Sequence, residues 1–536
     1  MDWVNRFADE VLAAAGDGPI VCASGMSPSG PIHMGKLREV MTPHLVADEI
    51  LRRGRECVHI VSWDDYDRFR RVPAGVDQSW SRHIGKPLTS VPAPEGSEHA
   101  NYAEYFKAPM AEALRRLGIE YVGVSQTEKY TSGYYRDQVL LAMRERRRID
   151  AILERYRTLA IQDEDPQTAK GEYFPYKHYC DSCERDFTTI TAYDDASTKL
   201  SYVCACGHEA TINLSEHFHG KLVWKVDWPM RWAVERVLFE PSGVDHSSPG
   251  SSYVVGGEIV TQIFGARQPI GPMYAFVGIK GMAKMSSSKG NVPTPLEALR
   301  LVEPQLLRWL YARRRPNQAF DISFDQEIHR LYDEWDSLGR KVSEGSASPA
   351  DATAHDRAVR AAASTLPTTR RPFPYRTMTS IVDITTGDPA QVLRILRDLD
   401  PADPIDSLED ARPRLDCATA WTLSQVPLEE RTRLKETPDQ QELTEGERES
   451  LRLLLDGLEA DWSLPGLTRL IYGVPKRRLG LPMDTAPTPE LKAAQREFFI
   501  LLYRRLIGRD TGPRLPTLLL AAGPERIRRL LSLAGP

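Results

Sequence analysis

Short apolar runs alternate with amphipathic helical segments near the start of this chain. Residues 19–23, 57–61 and 119–124 predict buried strands, and the segment between the first two predicts a helix that ends at Gly54. Strands separated by helices are typical of a parallel sheet, because parallel neighbours need a crossover connection. The pattern therefore predicts an α/β fold with a doubly wound parallel sheet.

The alternating pattern breaks in the middle of the chain and then resumes. Residues 145–220 contain charged runs and a cluster of cysteines, which predicts an insertion within the α/β domain. Strand-like runs return at 222–226 and 274–279. A loop rich in lysine and serine follows the second of these runs, so we expect that run to be the last strand of the domain.

Helical patterns dominate beyond residue 300, where strand signals fade. The sequence predicts an α/β domain over 1–300, connecting helices over 301–345 and a helical domain over 346–536. One helix of the last region carries leucines at i, i+3, i+4 and i+7, and Thr444 with Glu447 predicts its capping box. The chain is therefore expected to combine an α/β domain with an all-α region.

The composition of the 536 residues is that of a globular protein. Hydrophobic residues make up 41% and charged residues 27%, which excludes global disorder. Lys and Arg total 69 and Asp and Glu total 74, and this net charge of −5 argues against nonspecific coating of nucleic acid. No apolar run approaches the roughly 18 residues that span a bilayer, and the start lacks the layout of a secretory signal. We therefore expect a cytoplasmic protein without a membrane segment.

A turn rich in glycine, serine and proline follows the first predicted strand, over residues 25–36. Small residues let a backbone approach a ligand closely, and the N-terminus of the helix that follows attracts phosphate. His33 and Lys36 lie three residues apart on the first helical turn, so both could face one anion. Glycine-rich turns between a strand and a helix are common, so this segment taken alone is equally typical of a plain tight turn.

A second candidate for phosphate binding is the loop of residues 284–290. Lys284 and Lys289 flank three serine hydroxyls, and this combination supplies cations and hydrogen-bond donors to a polyphosphate. Taken alone, the loop is also typical of a solvated linker.

Two close pairs of cysteines lie about twenty residues apart within the predicted insertion. Cys180 and Cys183 form the first pair, and Cys204 and Cys206 form the second, with His208 two residues further on. Four thiols at this spacing predict a tetrahedral, structural zinc site, and free cysteines are the alternative. Because one residue rather than two separates the second pair, His208 could replace Cys204 or Cys206 as a ligand.

The two phosphate-type segments together resemble the signatures of a known family. PSGPIHMG resembles the HIGH signature and KMSSS resembles the KMSKS signature of class I aminoacyl-tRNA synthetases, in the same order along the chain. Longer segments are similar to class I lysyl-tRNA synthetases: ASGMSPSGPIHMGKLREV, SWDDYDRFRRVP, FEPSGVDHSSPGSSY and PMYAFVGIKGMAKMSSSKG. Two positions depart from the signatures, since Lys36 replaces the second His of HIGH and Ser287 replaces the inner Lys of KMSKS.

This resemblance implies an architecture and a reaction. It implies a Rossmann-like catalytic domain with a zinc-bearing insertion at 145–220, and a helical anticodon-binding domain at the C-terminus. The implied activity uses ATP with Mg²⁺ to convert L-lysine to lysyl-adenylate, and then transfers lysine to the 3′ end of tRNA(Lys). No stable protein partner is inferred.

The resemblance and the two segments together predict the residues that handle ATP. The predicted catalytic residues are His33, Lys36, Lys284 and Lys289. The predicted ATP contacts are Pro28, Ser29, Gly30, His33, Gly35, Lys284, Met285, Ser286, Ser287 and Ser288. With Ser287 in place of a lysine, the charge that faces pyrophosphate must come from Lys284, Lys289 or both.

Lysine itself needs a partner for its ammonium group and an anchor for its α-amino group. The resemblance implies a pocket made by Gly25, Ser27, Trp228, His246 and Tyr274. Asp64 and Asp65 are further candidates, because they follow a predicted strand and ligands of doubly wound sheets bind at the carboxyl ends of strands. The alternatives are core packing for Trp228 and Tyr274, helix capping for the two aspartates, and ordering of a loop for His246.

Two other functions remain open from the sequence. The first is a related synthetase that activates lysine, or a similar amino acid, for an acceptor outside translation. The second is a non-catalytic regulator that binds tRNA. The presence of both phosphate-type segments argues against a pure binding protein, which would not need His33, Lys284 and the lysine pocket together.

Overall fold

A computed structural model describes the chain over most of its length: residues 2–72, 77–157, 172–248, 250–281, 293–362, 366–439 and 441–532. The chain divides into two compact units. The first comprises Met1–Leu299, Pro304–Ser323 and Lys341–Leu366, and the second comprises Arg300–Glu303, Phe324–Arg340 and Pro367–Pro536. The domain bounds predicted from the sequence stay predictions.

Strands lie in the first unit, whereas helices occur throughout the described residues. The strands are β1 (Ile20–Met26), β2 (Cys57–Trp63), β3 (Val122–Ser125), β4 (Tyr176–His178), β5 (Thr188–Tyr193), β6 (Lys199–Cys204), β7 (Glu209–Asn213), β8 (Gly220–Leu222), β9 (Ser242–Gly243), β10 (Met273–Tyr274), β11 (Val277–Ile279) and β12 (Phe320–Ile322). The helices are α1 (Trp3–Ala14), α2 (Leu37–Arg52), α3 (Tyr102–Arg116), α4 (Gln126–Thr131), α5 (Arg136–Arg144), α6 (Arg146–Arg157), α7 (Trp224–Val234), α8 (Ser252–Gln262), α9 (Pro295–Leu301), α10 (Pro304–Ala312), α11 (Ile328–Ser343), α12 (Pro349–Val359), α13 (Tyr375–Thr385), α14 (Pro389–Leu399), α15 (Arg414–Gln425), α16 (Glu445–Gly457), α17 (Leu464–Arg478), α18 (Pro489–Ile507), α19 (Leu515–Ala522) and α20 (Pro524–Leu530).

A parallel sheet forms the centre of the first unit. β1, β2 and β3 lie side by side, with Ile20 opposite Cys57 at the start of the β1–β2 register. On the other side of β1, Phe239 bridges Cys22 and Ile270, and this pairing continues into β9 and β10. The spatial order is therefore β3-β2-β1-β9-β10, and the chain changes side at β1. The predicted α/β fold with a parallel sheet is confirmed.

β1, β2 and α2 form because their apolar residues are buried, whereas β3 begins at Val122, three residues later than predicted, and Val122 is exposed. β1 has almost no exposed residue, which explains its continuous apolar run, since parallel strands are covered on both faces. α2 buries its predicted apolar face, and Gly54 follows its end with a positive φ of 77°, a conformation that glycine adopts without strain. The predicted end of this helix is confirmed.

The strand predicted at 222–226 is wrong for most of its length. β8 ends at Leu222, Val223 caps the next helix in an extended conformation, and α7 begins at Trp224. The tryptophans of α7 recur every four residues, at 224, 228 and 232, and their rings contact one another along one helix face. A short apolar run does not distinguish a buried strand from a buried helix, and here the four-residue period decides.

The run at 274–279 is divided into two short strands. β10 pairs with β9, and β11 pairs with β12 instead. Between them, Ala275 donates its N–H to the carbonyl oxygen of Pro316 at 2.9 Å, so the chain changes its partner at this point. A single predicted strand is therefore observed as two, each belonging to a different sheet.

The cysteine-rich segment forms a small antiparallel module. β5, β6 and β7 pair in that order, and β4 pairs with β8. Leu200, Tyr202 and Leu214 belong to a buried cluster together with residues of α5 and α6.

The second unit is helical in the residues that the structure describes. Arg414 is buried at its centre, and its guanidinium binds Glu303 at 2.8 Å and Asp336 at 2.8 Å. The predicted capping box is confirmed, because the side chains of Thr444 and Glu447 each accept a bond from the other's backbone N–H. Among the described helices of both units, none combines the length and hydropathy needed to cross a bilayer.

Candidate functional site

The predicted site residues gather at the carboxyl edge of the parallel sheet. Gly25 lies near the end of β1 and Ser27 directly follows it, Asp64 and Asp65 follow β2, and Tyr274 ends β10. The strand order reverses beside β1, so this edge contains the switch point at which open α/β sheets bind ligands. Gly25, Ser27, Asp64 and Asp65 thus lie at strand ends, and their assignment to a lysine pocket stays a prediction.

The turn after β1 holds His33 in a defined protonation state. Its Nδ1 accepts the backbone N–H of Gly35 at 3.1 Å, and a 3₁₀ turn from Met34 to Lys36 then leads into α2. Burial, reinforced by the charge of Lys36, lowers the pKa of His33 to about 4. The ring is therefore neutral at pH 7, and because Nδ1 is an acceptor, Nε2 carries the proton and is a donor.

Gly35 lets the turn pack closely around the histidine. A Cβ at this position would lie 2.9 Å from both Cε1 and Nδ1 of His33, and 3.4 Å from the carbonyl oxygen of Val277 in β11. Any larger residue would therefore displace the His33 ring.

The ends of the second phosphate-type segment lie against this turn. Met34 donates its backbone N–H to the carbonyl oxygen of Pro293 at 2.9 Å, and β11 lies next to Gly35. The segment between these ends lies outside the described residues, and with it the predicted residues Lys284, Met285, Ser286, Ser287, Ser288 and Lys289. Both ends of the loop that carries KMSSS are therefore next to the turn that carries His33.

Arg38 links α2 to the segments at residue 275 and residues 315–318, which lie before and after that loop in the chain. The sequence did not predict this role. The buried guanidinium of Arg38 donates from Nη1 to the carbonyl oxygens of Ala275 at 3.0 Å and Gln318 at 2.7 Å, and from Nη2 to that of Arg315 at 3.2 Å. One side chain thus fixes the connection between β10 and β11 and the loop before β12.

Glu39 is a second residue that the sequence analysis missed. Its carboxylate binds Lys36 Nζ at 2.8 Å, and this charge raises the pKa of Lys36. Burial, followed by the charge of Glu39, raises the pKa of Tyr274. Burial lowers the pKa of His246, and the charge of Glu39 opposes that lowering. A carboxylate therefore lies among Lys36, His246 and Tyr274, which is the environment that an ammonium ligand needs.

Three tryptophans of α7 and a buried carboxylate form the wall of an adjoining cavity. Glu240 accepts the indole N–H of Trp228 at 3.1 Å and that of Trp232 at 2.6 Å. Burial raises the pKa of Glu240 to about 7, against the effect of these two bonds. The cavity is lined by residues that include Gly25, Ser62, Trp224, Trp228, Arg231 and Glu240. Trp228 thus packs in the core and also lines the cavity. Its position fits both alternatives, core packing and a place in the lysine pocket.

Asp64 belongs to a buried network of charges. Arg231 lies between two carboxylates, with Nη1 2.7 Å from Asp64 Oδ1 and Nη2 bound to Asp227. Lys221 lies 3.5 Å from Asp227 and 2.6 Å from Asp67, so the network holds three carboxylates and two cations. Burial raises the pKa of Asp64, and Arg231 opposes this effect. Asp64 is therefore already paired with Arg231 within the protein.

Asp65 is fully buried and its contacts are all internal. Oδ2 binds Lys107 Nζ at 2.6 Å and Ser125 Oγ at 2.7 Å, and Oδ1 accepts the backbone N–H of Thr127 at 2.8 Å. Because Thr127 lies in the first turn of α4, this carboxylate binds the N-terminus of that helix, although the N-cap residue of α4 is Ser125 and not Asp65.

Four cysteines come together in the antiparallel module. The Sγ atoms of Cys180, Cys183, Cys204 and Cys206 all lie within 4.8 Å of one another, with 3.8 Å between Cys180 and Cys206 and 3.7 Å between Cys183 and Cys204. Thiolates around one zinc ion at about 2.3 Å are separated by about 3.8 Å, so the cluster could hold a metal ion. His208 is outside this group, and its carbonyl oxygen instead accepts the N–H of Cys204 at 2.8 Å.

Comparisons with known proteins identify relatives over the whole chain. The family model described as tRNA synthetases class I (K) matches residues 1–364. A lysine–tRNA ligase of Streptomyces coelicolor is 62% identical, with 99% of this chain and 98% of that protein aligned. The lysine–tRNA ligases of Pyrococcus horikoshii and Treponema pallidum are 34% and 32% identical, each aligned over 99% of this chain and over 99% and 98% of their own lengths.

Proposed function

The chain belongs to the class I (K) family of tRNA synthetases, and from this premise we propose that it is a lysine–tRNA ligase. It activates L-lysine with ATP to give lysyl-adenylate and pyrophosphate, and then transfers lysine to the 3′ end of tRNA(Lys). The observation that carries this proposal is the hydrogen bond from Met34 to Pro293, because it supports the convergence of both signature segments on one nucleotide.

In the first step the carboxylate of lysine attacks the α-phosphate of ATP, a P–O bond forms, and pyrophosphate leaves. The protein needs to align the reactants and stabilise negative charge rather than form a covalent bond. His33 offers its Nε2–H as a neutral donor to a phosphate oxygen, next to the N-terminus of α2. We assign the contacts around it to Pro28, Ser29, Gly30 and Gly35.

Lys284 and Lys289 supply cationic charge to the leaving pyrophosphate. Ser287 occupies the position of the inner lysine of the KMSKS signature, so these two lysines share the task. Magnesium, bound with ATP through the phosphates, would supply further charge neutralisation. Lys36 is paired with Glu39. We assign two roles to Lys36: it positions the Glu39 carboxylate, and it directs its positive charge toward the phosphates of ATP.

The ammonium group of lysine binds near Glu39 and Tyr274. Glu39 offers a negative charge inside the site, and the hydroxyl of Tyr274 provides a neutral polar partner. Trp228 and His246 lie edge to face, with their ring centroids 5.9 Å apart, and form the aromatic side of the pocket. Gly25 and Ser27 at the end of β1 meet the α-amino end of the substrate. Asp65 fixes the fold of this edge, and Asp64 acts on the pocket through Arg231.

In the second step a ribose hydroxyl at the 3′ end of tRNA attacks the carbonyl carbon of lysyl-adenylate, and AMP leaves. We assign binding of the acceptor end to the module of residues 145–220. The helical residues 346–536 bind the anticodon arm, and residues 301–345 connect the two regions. The lysyl-tRNA(Lys) formed in this step supplies lysine to translation.

The four cysteines bind one structural Zn²⁺. Four soft thiolates at tetrahedral spacing fit zinc, which would cross-link the loops that precede β5 and β7. A mercurial titration of purified protein should release this zinc as the thiolates react. Release of less than about half an equivalent would count against a thiolate-bound ion.

The proposed activity is tested by ATP–pyrophosphate exchange with each amino acid in the presence of tRNA, followed by charging of purified tRNA species. Exchange that depends on lysine, together with charging of tRNA(Lys), is the expected result. Lysine-dependent exchange without charging would favour a synthetase with a different acceptor. Absence of exchange with tRNA present would favour a tRNA-binding regulator.

A further inference from the structure

Three histidines surround one aspartate beside the cysteine cluster. His178 ends β4, and Asp181 follows in the loop between Cys180 and Cys183. His217 and His219 lie on the other side, in the segment that leads into β8. None of these four residues has a part in the proposed reaction.

The nitrogen atoms of the three imidazoles face the same carboxylate oxygen. Asp181 Oδ1 lies 2.8 Å from His217 Nε2, 3.5 Å from His178 Nε2 and 3.5 Å from His219 Nδ1. Ligand atoms of a tetrahedral zinc ion with Zn–N bonds of 2.0–2.1 Å are separated by about 3.3 Å. The ligand atoms of His178, Asp181 and His217 all lie within 4.8 Å of one another, so these three residues could hold one ion. His219 is close to Asp181 alone and would need a small rotation to become the fourth ligand.

The backbone holds this arrangement in place. β4 and β8 are antiparallel, with His178 opposite Gly220, and Tyr179 donates its N–H to the carbonyl oxygen of His219 at 2.9 Å. A Cβ on Gly220 would lie 2.4 Å from the carbonyl oxygen of Lys177, so only glycine allows the two strands to approach this closely. The close approach brings His219 next to the end of β4.

His178 supplies an independent indication of a ligand. Its side chain is completely buried, Nδ1 has no hydrogen-bond partner, and Nε2 has only Asp181 Oδ1 at 3.5 Å, the limit for a hydrogen bond. Burying a polar atom without a partner is unfavourable, and buried polar groups in proteins are nearly always satisfied. A bound cation on Nε2 would satisfy one of the two nitrogens.

From this geometry we propose that His178, Asp181, His217 and His219 bind a second Zn²⁺ ion, separate from the ion held by the four cysteines. Three imidazoles and a carboxylate are borderline ligands that suit Zn²⁺, and the ion would replace the direct hydrogen bond between His217 and Asp181. The partly exposed His217 and His219 leave a route from solvent. The ion would cross-link the loop between Cys180 and Cys183 to the segment before β8. This inference is independent of the proposed enzyme activity, but the expected total of two ions also rests on the zinc site proposed for the four cysteines.

The test is the zinc content of the full-length protein. The protein, with any affinity tag removed, is loaded with Zn²⁺, desalted into metal-free buffer and measured by mass spectrometry of the metal. The native chain should hold about two equivalents and His217→Ala/His219→Ala about one, since both substituted residues lie at the surface. His208→Ala, in the same module but outside both clusters, should keep two.

Two results would overturn the proposal: an unchanged zinc content in the double variant, or loss of an ion in His208→Ala. One equivalent in the native chain would also overturn it if the double variant keeps that ion, whereas loss of that single ion in the double variant would support the histidine site and count against the cysteine site. Cobalt provides a second measurement, because thiolate ligands give Co²⁺ strong charge-transfer absorption and nitrogen and oxygen ligands do not. The double variant should keep the charge-transfer bands of the cysteine site and lose the ligand-field bands of the second ion. Loss of the charge-transfer bands as well would contradict two separate sites.

Discussion

Met34 donates its backbone N–H to the carbonyl oxygen of Pro293 at 2.9 Å, which joins two segments that are far apart in sequence. Met34 follows His33 in the turn after β1, and Pro293 follows the loop that carries Lys284. Because the bond is made by backbone atoms, it holds Pro293 beside this turn whatever side chains the loop carries. The protein thus places the residue that follows the lysine-rich loop next to a neutral imidazole donor.

The first prediction concerns the space around His33. Gly35→Ala would place a Cβ 2.9 Å from the imidazole, so the ring must turn and lose its bond from the backbone N–H of residue 35. A misplacement of about 1 Å in a reacting group costs about 100-fold in rate, so kcat for ATP–pyrophosphate exchange should fall by about that factor. Gly16→Ala is the control, since its Cβ would meet nothing within 4 Å. Equal rates for both variants would remove His33 from the phosphate site.

A second prediction separates two roles of Glu39. If its carboxylate binds the ammonium group of lysine, Glu39→Gln should raise KM for lysine about 10- to 100-fold, the value of a hydrogen bond to a charged group. The preference for lysine over norleucine, which lacks the side-chain ammonium group, should shrink by a similar factor. Glu56→Gln, at an exposed position in the same unit, should change neither. A rise in KM for ATP with unchanged discrimination would mean that Glu39 serves only to position Lys36.

Glu240 should make stability depend on pH. Burial raises its pKa from the ordinary 4.5 to about 7 in the folded chain, so the folded state binds this proton more tightly than the unfolded state. The contribution to the free energy of unfolding is therefore full below pH 4.5 and is lost as the pH rises to about 7, by up to about 3 kcal/mol.

The Glu240→Gln variant has no such titration, although its amide accepts only one of the two indole bonds at every pH. The apparent Tm of the variant minus that of the native chain should therefore be larger at pH 8 than at pH 5. Thermal unfolding of both proteins at each pH measures this difference. A difference that stays constant, or falls, would contradict a raised pKa for Glu240.

Asp65 should act on stability rather than on substrate. Asp65→Asn would leave Lys107 paired only with the partly exposed Glu104, and the loss of one partner of a buried ion pair costs up to about 3–5 kcal/mol. We expect a lower apparent Tm with KM for lysine within about threefold of the native value. Asp17→Asn, at an exposed turn, is the matched control and should leave both quantities unchanged. A large rise in KM at unchanged Tm would instead place Asp65 in the lysine pocket.

The sequence predicted those parts of the fold that depend on local pattern. β1, β2 and the end of α2 at Gly54 follow from apolar periodicity and from the conformational freedom of glycine. The strand predicted at 222–226 is wrong, because its four apolar residues fit either period and only the four-residue spacing of the tryptophans, which extends beyond that run, favours a helix.

The parts of the site that the sequence did not predict depend on contacts between distant segments. Glu39 looks like an ordinary acidic residue in the first turn of a helix, where the helix dipole favours it. Its importance arises only when β10 brings Tyr274 to the same place. The same holds for Arg38, whose three carbonyl partners are contributed by segments near residues 275 and 315–318.

The central claim is that His33 and Lys284 bind the phosphates of one ATP molecule. A crystal structure of the protein with ATP, Mg²⁺ and lysine measures this directly. We expect His33 Nε2 and Lys284 Nζ each within about 3.2 Å of a phosphate oxygen of the same nucleotide. An ordered nucleotide bound away from either side chain, or the two side chains on opposite faces of the molecule, would contradict it.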